Sequence, residues 1–518
     1  MASEQGRLCS LLIREHFGEV VEKVSNTLHW GPKTLPLIVS SSQLPLSKVK
    51  QALAVLIKYG FVTYERGKLP TVAEYTLKLT KVTLMVRYPR YILLIKEHVD
   101  EESSFLLEEL LQCGFDTATN VILRVSKRVT EEGRQMEFDL PHLTDKFHML
   151  VQMQYLMRCP HPTDPDAAAI EVPVLGVTEA ELFLPPDLNI KYLSLRNQGM
   201  VADDPGDLGI YWRINYDRFH QDIRDDLIVA AVERRFDANA AQLMNELLRL
   251  TYLRTDAWAP QSNAVPVVEV KDSISKLTKN AYLAQYLDQY LKILEESTGF
   301  VTKVESSSGM MEVNMSKAIE ILTCNAIDNN VDQRFGAKAA RIFRLVRAKK
   351  YMEQDQIQQL AMIPDKEAKQ LTYKLLQENF LQMQELRKPT VSTGPNKTYF
   401  LFHVDLPQVA RMVLDTCYKA MANSLTRRSH EKNENIRLIE KKERIEAIAD
   451  SMREQGTDEQ QIQELVDDWL TPPERSLLES VEAMIRKMNL AELQIDDTVF
   501  LLQLFTYYQS AIIRIKAK

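Results

Sequence analysis

At 518 residues and 59.6 kDa, the chain has room for about three to five domains of ~100–200 residues. Its 45% hydrophobic and 26% charged make-up is that of folded globular proteins and excludes wholesale disorder or a collagen-like fibre. Only 16 glycines, less than half of what average usage of about 7% would give, point away from glycine-rich nucleotide-binding folds, and a net charge of −7 excludes a uniformly cationic surface.

From the N-terminus, Leu8, Leu11, Leu12, Phe17, Val20, Val21 and Val24 recur at helical spacing over residues 8–24. A short helix is expected over 35–41. A third, capped by Ser47, places Val49, Leu53, Leu56 and Ile57 on one stripe and stops at Gly60. Residues 61–64 and 75–77 read as strands around a turn. Helices followed by a hairpin are the plan of a winged helix.

The plan recurs three times. Over 103–184, helices 105–111 (ending at Gly114), 119–130 and 143–153 precede a strand at 155–157, with a second wing strand expected at 181–184. Over 216–316, helices 217–236, 240–252 and 282–296 precede strands 300–304 and 310–315 around a serine-rich turn. Over 332–404, helices 339–350, 354–361 and 366–377 precede strands 380–383 and 399–402. Every copy opens its hairpin on an aromatic residue: Phe61, Tyr155, Phe300, Phe380. Residues 160–209 hold seven of the 21 prolines and read as a mobile insertion.

Beyond Pro407 helix takes over. One helix is expected over 408–455, broken at Gly456, polar all round at 426–435, with a heptad-like seam of Leu438, Ile445, Ile448 and Met452. Thr471-Pro-Pro-Glu474 is a capping-box start, and a separate last helix is expected from Asp496. The fold class is therefore mainly α with small β-hairpins: four tandem winged-helix domains (1–84, 85–190, 210–320, 321–405) followed by an antiparallel helical coiled coil (406–518). Removing everything from residue 407 is expected to leave the winged helices folded.

The five scattered cysteines lack metal-ligand spacing and read as free thiols of a reducing compartment. The acid-bearing start does not read as a secretory leader, and the apolar run 91–95 is far short of a membrane helix, so no membrane partner is expected. The chain carries no phosphate-binding glycine loop, dinucleotide fingerprint, His-Glu-x-x-His or paired Cys-x-x-Cys. His142 and His148 are the closest histidine pair and lack further ligands nearby. No catalytic residue, metal or cofactor is expected.

Charge is the remaining signal. Arg334, Lys338, Arg341, Arg344, Arg347, Lys349 and Lys350 lie in an acid-free window between Asp332 and Glu353. Phe335, Ala339, Ile342, Phe343 and Val346 fall on one arc between them, so an apolar face with a cationic rim is expected, suited to phosphates or to an acidic partner. A solvated helix face is the plain alternative. Smaller groups are Lys48, Lys50 and Lys58 with Arg66 and Lys68 in the first copy, and Arg124, Lys127 and Arg128 in the second. In DNA-reading winged helices these parts enter or flank a groove, although many winged helices only dock proteins. No Asn, Gln and Arg set suited to base reading accompanies them, so non-specific contact is expected over sequence-specific reading.

Arg87-Tyr-Pro-Arg-Tyr91, Gly209-Ile-Tyr-Trp212, Asp217-Arg-Phe-His220, Arg341-Ile-Phe-Arg-Leu345, Ala361-Met-Ile-Pro364 and the early Cys9-Ser-Leu-Leu and Glu15-His-Phe-Gly18 resemble the third-subunit family of nuclear RNA polymerase III. The resemblance implies four extended winged helices and a coiled coil. It implies a non-catalytic member of a polymerase-III-specific heterotrimer related to transcription factor II E alpha, mounted on the clamp of the largest subunit beside the stalk. It further implies promoter opening at small non-coding RNA genes (5S rRNA, tRNA), contact with initiation factor III B and with single-stranded and promoter DNA, a nuclear location, and a link to cytosolic DNA sensing and innate immunity. A scaffold that holds only proteins, as in cullin-like or proteasome-lid proteins, is the alternative.

Overall fold

A computed structural model describes residues 3–131, 140–162, 171–197, 200, 205–252, 254–277, 283, 285–304, 309–388, 397–454, 469 and 471–517. The chain forms two compact units: Met1–Asn215 with Tyr418–Asp496, and Tyr216–Cys417 with Asp497–Lys518. The C-terminal helices thus contribute to both, and removal from residue 407 would strip core residues from each, against the expectation.

In the first unit, the periodicity of residues 8–24 belongs to two helices, Glu4–Phe17 and Glu19–Leu28. Gly18 separates them at φ +84°, a conformation cheap only for glycine, and its N–H donates to the Arg14 carbonyl. Helices Leu35–Ser42 and Leu46–Lys58 follow; Pro45, already extended, holds the cap position expected of Ser47, which lies in the first turn. Strands Val62–Arg66 and Ala73–Leu77 pair antiparallel, and Lys33–Thr34 adds a third strand that the sequence reading missed. Leu8, Ile13, Val24, Ile38, Val49, Leu56 and Phe61 are buried.

Helices Tyr88–His98, Glu101–Cys113, Ala118–Glu131 and Leu140–Gln152 come next. The strand Leu156–Arg158 does not pair with 181–184. Its partner is Trp212–Ile214, in register Leu156↔Ile214 and Arg158↔Trp212. Burial explains the choice: Trp212 is fully buried edge-on to Phe147, whereas Glu179–Leu182 forms one helical turn and Leu184 is exposed. The insertion also has structure of its own. His161–Pro162 pairs with Leu175–Gly176, Ile190–Asn197 is helical, and buried Asp207 accepts hydrogen bonds from the N–H and Oγ1 of Thr119, both at 2.8 Å.

Helices Leu406–Glu434 (from Tyr418), Ile436–Glu454 and Pro472–Ala517 (to Asp496) complete this unit. The break falls at Asn435; Gly456 lies outside the described residues. Side-chain pairs run from Ser424–Glu492 and Arg428–Glu492 to Lys442–Glu482, advancing on one helix as they retreat on the other, so the helices run antiparallel; Lys441–Glu474 adds a pair near the turn-side end. The seam contains Leu438, Ile445 and Leu478, while Ile448 is exposed and Ala449 takes the buried position. Glu474 accepts from the Thr471 N–H, the carboxylate half of a capping box, and from the Thr471 hydroxyl as well. No new helix starts at Asp496. It lies inside Pro472–Ala517, 2% exposed, and accepts both bonds of Arg87 Nε at 2.8 and 2.9 Å.

The second unit opens with Tyr216–Arg235 and Ala238–Thr251, then strand Val265–Pro266 and helix Val267–Leu277, two elements absent from the sequence reading. The expected helix 282–296 is Leu287–Ile293 continued by a π-turn, Leu294–Thr298; residues 278–282 lie outside the described chain. Strands Val301–Lys303 and Met310–Val313 complete a three-stranded antiparallel sheet in which Met310–Val313 is central; the serine-rich turn lies outside the described residues. Met315–Phe335, a long helix with no clean apolar stripe and hence unread, leads into Ala337–Lys349, Gln354–Ala361, Asp365–Gln377 and the paired strands Gln382–Lys388 and Lys397–His403. One apolar core runs through the unit and takes in Phe500, Leu504, Phe505 and Tyr508. Arg224, nearly fully buried, donates to the Ala257 carbonyl and to Asp225, both at 2.7 Å, and to Tyr508 Oη at 3.4 Å. Burial raises the Asp225 carboxyl to about 6 against the pull of Arg224.

Replacing Arg87 with Ala strands the Asp496 carboxylate away from water. A loss of about 3–5 kcal/mol is expected in chemical denaturation of the full chain. A loss below about 1 kcal/mol would mean that the pair contributes nothing to this packing.

Candidate nucleic-acid interface

The cations singled out in the sequence fall into two groups, and packing decides which. In the first copy Lys48 and Lys50 are exposed on Leu46–Lys58, and Lys58 lies 6.0 Å from the centre of the Phe115 ring. Arg66, at the end of its strand, is held by Glu171 at 3.3 Å while its Nε donates to the Val172 carbonyl at 2.9 Å; Lys68 in the wing is exposed.

In the second copy Arg124 bridges Glu109 at 3.3 Å and Asp116 at 2.5 Å, and Arg128 pairs with Glu108 at 3.1 Å. Both tie Ala118–Glu131 to the preceding helix, Glu101–Cys113, through its carboxylates. Burial opposes ionisation of Asp116, but hydrogen bonds from Asn120 and the Thr117 N–H, with the Arg124 charge, hold its carboxyl below the usual range. Lys127 is exposed.

The window 334–350 is not one helix. Gly336, at φ +87°, ends Met315–Phe335 and starts Ala337–Lys349, so Arg334 belongs to the preceding helix. Of the apolar arc, Ala339, Ile342, Phe343 and Val346 are fully buried on Ala337–Lys349, whereas Phe335 closes the preceding helix and is only partly buried. The acid-free rim is acid-free only along the chain. Arg334 pairs with Glu378 at 3.0 Å and lies over the Phe335 and Phe380 rings, and Lys338 pairs with Glu367 at 2.7 Å. Arg347 makes a two-pronged pair with Asp328 at 2.7 and 2.9 Å. Arg344 donates to the Ala340 carbonyl and, with Asn325, Asp328, Asn329 and Asp332, lines an open cavity of about 350 Å³.

Among the described residues, Lys48, Lys50, Lys68, Lys127, Arg341, Lys349 and Lys350 are exposed and form no ion pair. Their charge is available to an incoming anion. Exposed Tyr351, next to Lys350, was not singled out in the sequence.

Other chemistry is sparse. His142 lies 2.7 Å from Glu102 and His148 Nε2 lies 3.0 Å from the Pro186 carbonyl, so the two histidines serve different partners. Burial pushes the Cys9 thiol to about 12 and those of Cys159 and Cys417 to about 11, which keeps them protonated at neutral pH. Among the described residues no three His, Cys, Asp or Glu side chains are grouped to hold a metal ion, and no helix is long and apolar enough to cross a membrane.

Known proteins resemble the chain along almost its whole length. Residues 7–66 match the RNA polymerase III subunit RPC82 helix-turn-helix domain, 189–322 the RNA polymerase III subunit RPC82 family, 327–404 the POLR3C C-terminal winged-helix domain, and 437–501 the helical hairpin domain of DNA-directed RNA polymerase III subunit RPC3. DNA-directed RNA polymerase III subunit RPC3 of Bos taurus is 37% identical over 548 residues, covering 99% of this chain and 100% of the relative. The Homo sapiens protein of that name is 36% identical over 535 residues and the Danio rerio protein 34% over 536, each covering 97% of this chain and 98% of the relative.

The two groups of cations should respond differently to truncation. Arg347→Ala, which leaves half-buried Asp328 unpaired, is expected to cost about 1–2 kcal/mol in thermal or chemical unfolding, and Arg341→Ala to stay within about 0.5 kcal/mol. Equal costs would contradict the sorting.

Proposed function

The chain belongs to the RPC3 family of RNA polymerase III subunits, and from that premise we propose that it acts, without a catalytic centre of its own, in promoter opening during initiation at small non-coding RNA genes such as those for 5S rRNA and tRNA. The reading places it in the nucleus, within the polymerase-III-specific heterotrimer on the clamp beside the stalk, reaching to initiation factor III B and to promoter DNA. A second site of action in the cytosol, in DNA sensing, belongs to the same reading. Four winged helices and a C-terminal antiparallel coiled coil would give one chain several docking faces in series. Family likeness at both ends of the chain, together with repeated helix-and-hairpin segments, is what carries it.

The DNA contact proposed is non-specific and electrostatic. Single-stranded DNA releases counterions when cations meet its phosphates, so affinity depends on salt and not on base sequence. Arg341, Lys349 and Lys350 are suited to it because no neighbouring acid competes for them. A purely protein-holding scaffold is favoured by a different observation: Arg66, Arg124, Arg128, Arg334, Lys338 and Arg347 are already committed to acids within the chain.

If those three free cations each meet a phosphate, log K for single-stranded DNA should fall against log salt with a slope of about −2 from them alone, and the triple alanine variant should lose that part. An unchanged slope and affinity would favour the scaffold. Assembly is tested separately, by replacing residues 441–484, the outer part of the helical hairpin, with a short flexible linker. Far-ultraviolet circular dichroism and the unfolding midpoint should show both units folded, while co-purification of polymerase subunits drops; undiminished co-purification would remove the hairpin from the assembly surface.

A further inference from the structure

The last hairpin presents a face that no acid shares. Its strands oppose Gln382 to His403, Gln384 to Leu401 and Leu386 to Tyr399. Successive strand residues point to opposite sides. Phe402 is buried, so His403, Leu401 and Tyr399 share the other face with Gln384 and Leu386; Tyr399 is 36% and Leu386 49% exposed. Glu385, the acid of this hairpin, is opposite Phe400 on the far side and is paired with Arg387.

A bridge between Met352 and Phe402 brings the end of Ala337–Lys349 alongside. There Tyr351, 53% exposed, lays its ring against His403, with centroids 5.3 Å apart and planes inclined by 36°. Lys349 and Lys350 precede it, both exposed and without an ion pair. Lys350 is held at φ +69°, a conformation that side-chain-bearing residues adopt rarely and that clusters at ligand-binding places.

We propose that this face is a stacking platform for single-stranded nucleic acid, with unpaired bases lying on Tyr351 and Tyr399 and phosphates meeting Lys349 and Lys350. The inference rests on the reading of the chain as a DNA-contacting subunit and supplies the base contact which that reading lacks. Flat rings accept any base by its π-face, so the platform adds affinity without sequence preference. Free cations beside exposed aromatic rings, with no acid among them, complement a strand that offers negative charge and flat apolar faces together. A duplex offers the charge but keeps its bases stacked inside.

The full chain is titrated with a labelled oligothymidylate and with an abasic oligomer of the same length across a salt series. Expected are tighter binding of the oligothymidylate by wild type, roughly tenfold loss of that binding in Tyr351→Ala and in Tyr399→Ala with an unchanged salt slope, and retention in Tyr351→Phe. Binding of the abasic oligomer should not change in these variants, whereas Lys349→Ala with Lys350→Ala should flatten the slope for both probes. Equal affinity for the two probes, untouched by Tyr351→Ala, would overturn the platform while leaving the electrostatic reading standing. Absence of binding to either probe at low salt would overturn both. Normal DNA binding with lost polymerase subunits in Tyr351→Ala would give the face to a protein partner and overturn the proposal.

Discussion

Two charges taken out of water must find each other or be lost. Arg87 and Asp496 do so at 2.8 Å, both almost fully buried, and thereby join a residue near the N-terminus to one near the C-terminus within the first unit. Such a pair adds little net stability over apolar side chains of the same volume. What it fixes here is phase: sliding Pro472–Ala517 by one residue would swing Asp496 by about 100° around its helix and leave both charges unpaired. Arg428 extends the same logic along the hairpin. It is 12% exposed and reaches Glu15 at 2.7 Å and Glu492 at 2.6 Å, so the stretch 426–435, polar all round, packs by charge where a stripe of leucines would otherwise be needed.

That constraint also governs the surface. A cation with an acid from a neighbouring helix within reach is spent on architecture; one without is left to the solvent and to partners. Arg334, Lys338 and Arg347 lie among residues 334–347 beside Arg341, yet their partners Glu378, Glu367 and Asp328 come from elsewhere in the fold. The chain's net charge of −7 makes such compensation common, so the exposed cations without ion pairs form small local groups instead of a continuous basic belt.

Much of the local structure was legible. Helices Gln354–Ala361 and Leu35–Ser42, the glycine stops at Gly60 and Gly114, the capping box at Thr471 and the buried arc of Ala339, Ile342, Phe343 and Val346 all follow from spacing and from residues with few allowed conformations. Met315–Phe335 was not legible, because burial on several sides blurs the stripe that periodicity detects. Nor was the partner of Leu156–Arg158: the sequence reading put it nearby at 181–184, whereas the strand pairs with 212–214, a segment not read as a strand, where Trp212 is buried.

What the amino-acid order determined by itself was most of the helices and hairpin strands, the family likeness and the set of residues that carry charge, since each of these depends on neighbours along the chain. The tertiary structure alone decided that Asp496 is interior, that Gly336 divides the basic window, that the last helix supplies Phe500, Phe505 and Tyr508 to the second unit's core, and which cations remain free. The reason is the short reach of the forces involved. Ion pairing and apolar packing act over a few ångströms in space, and residues that close can be hundreds apart in sequence, as Arg87 and Asp496 are.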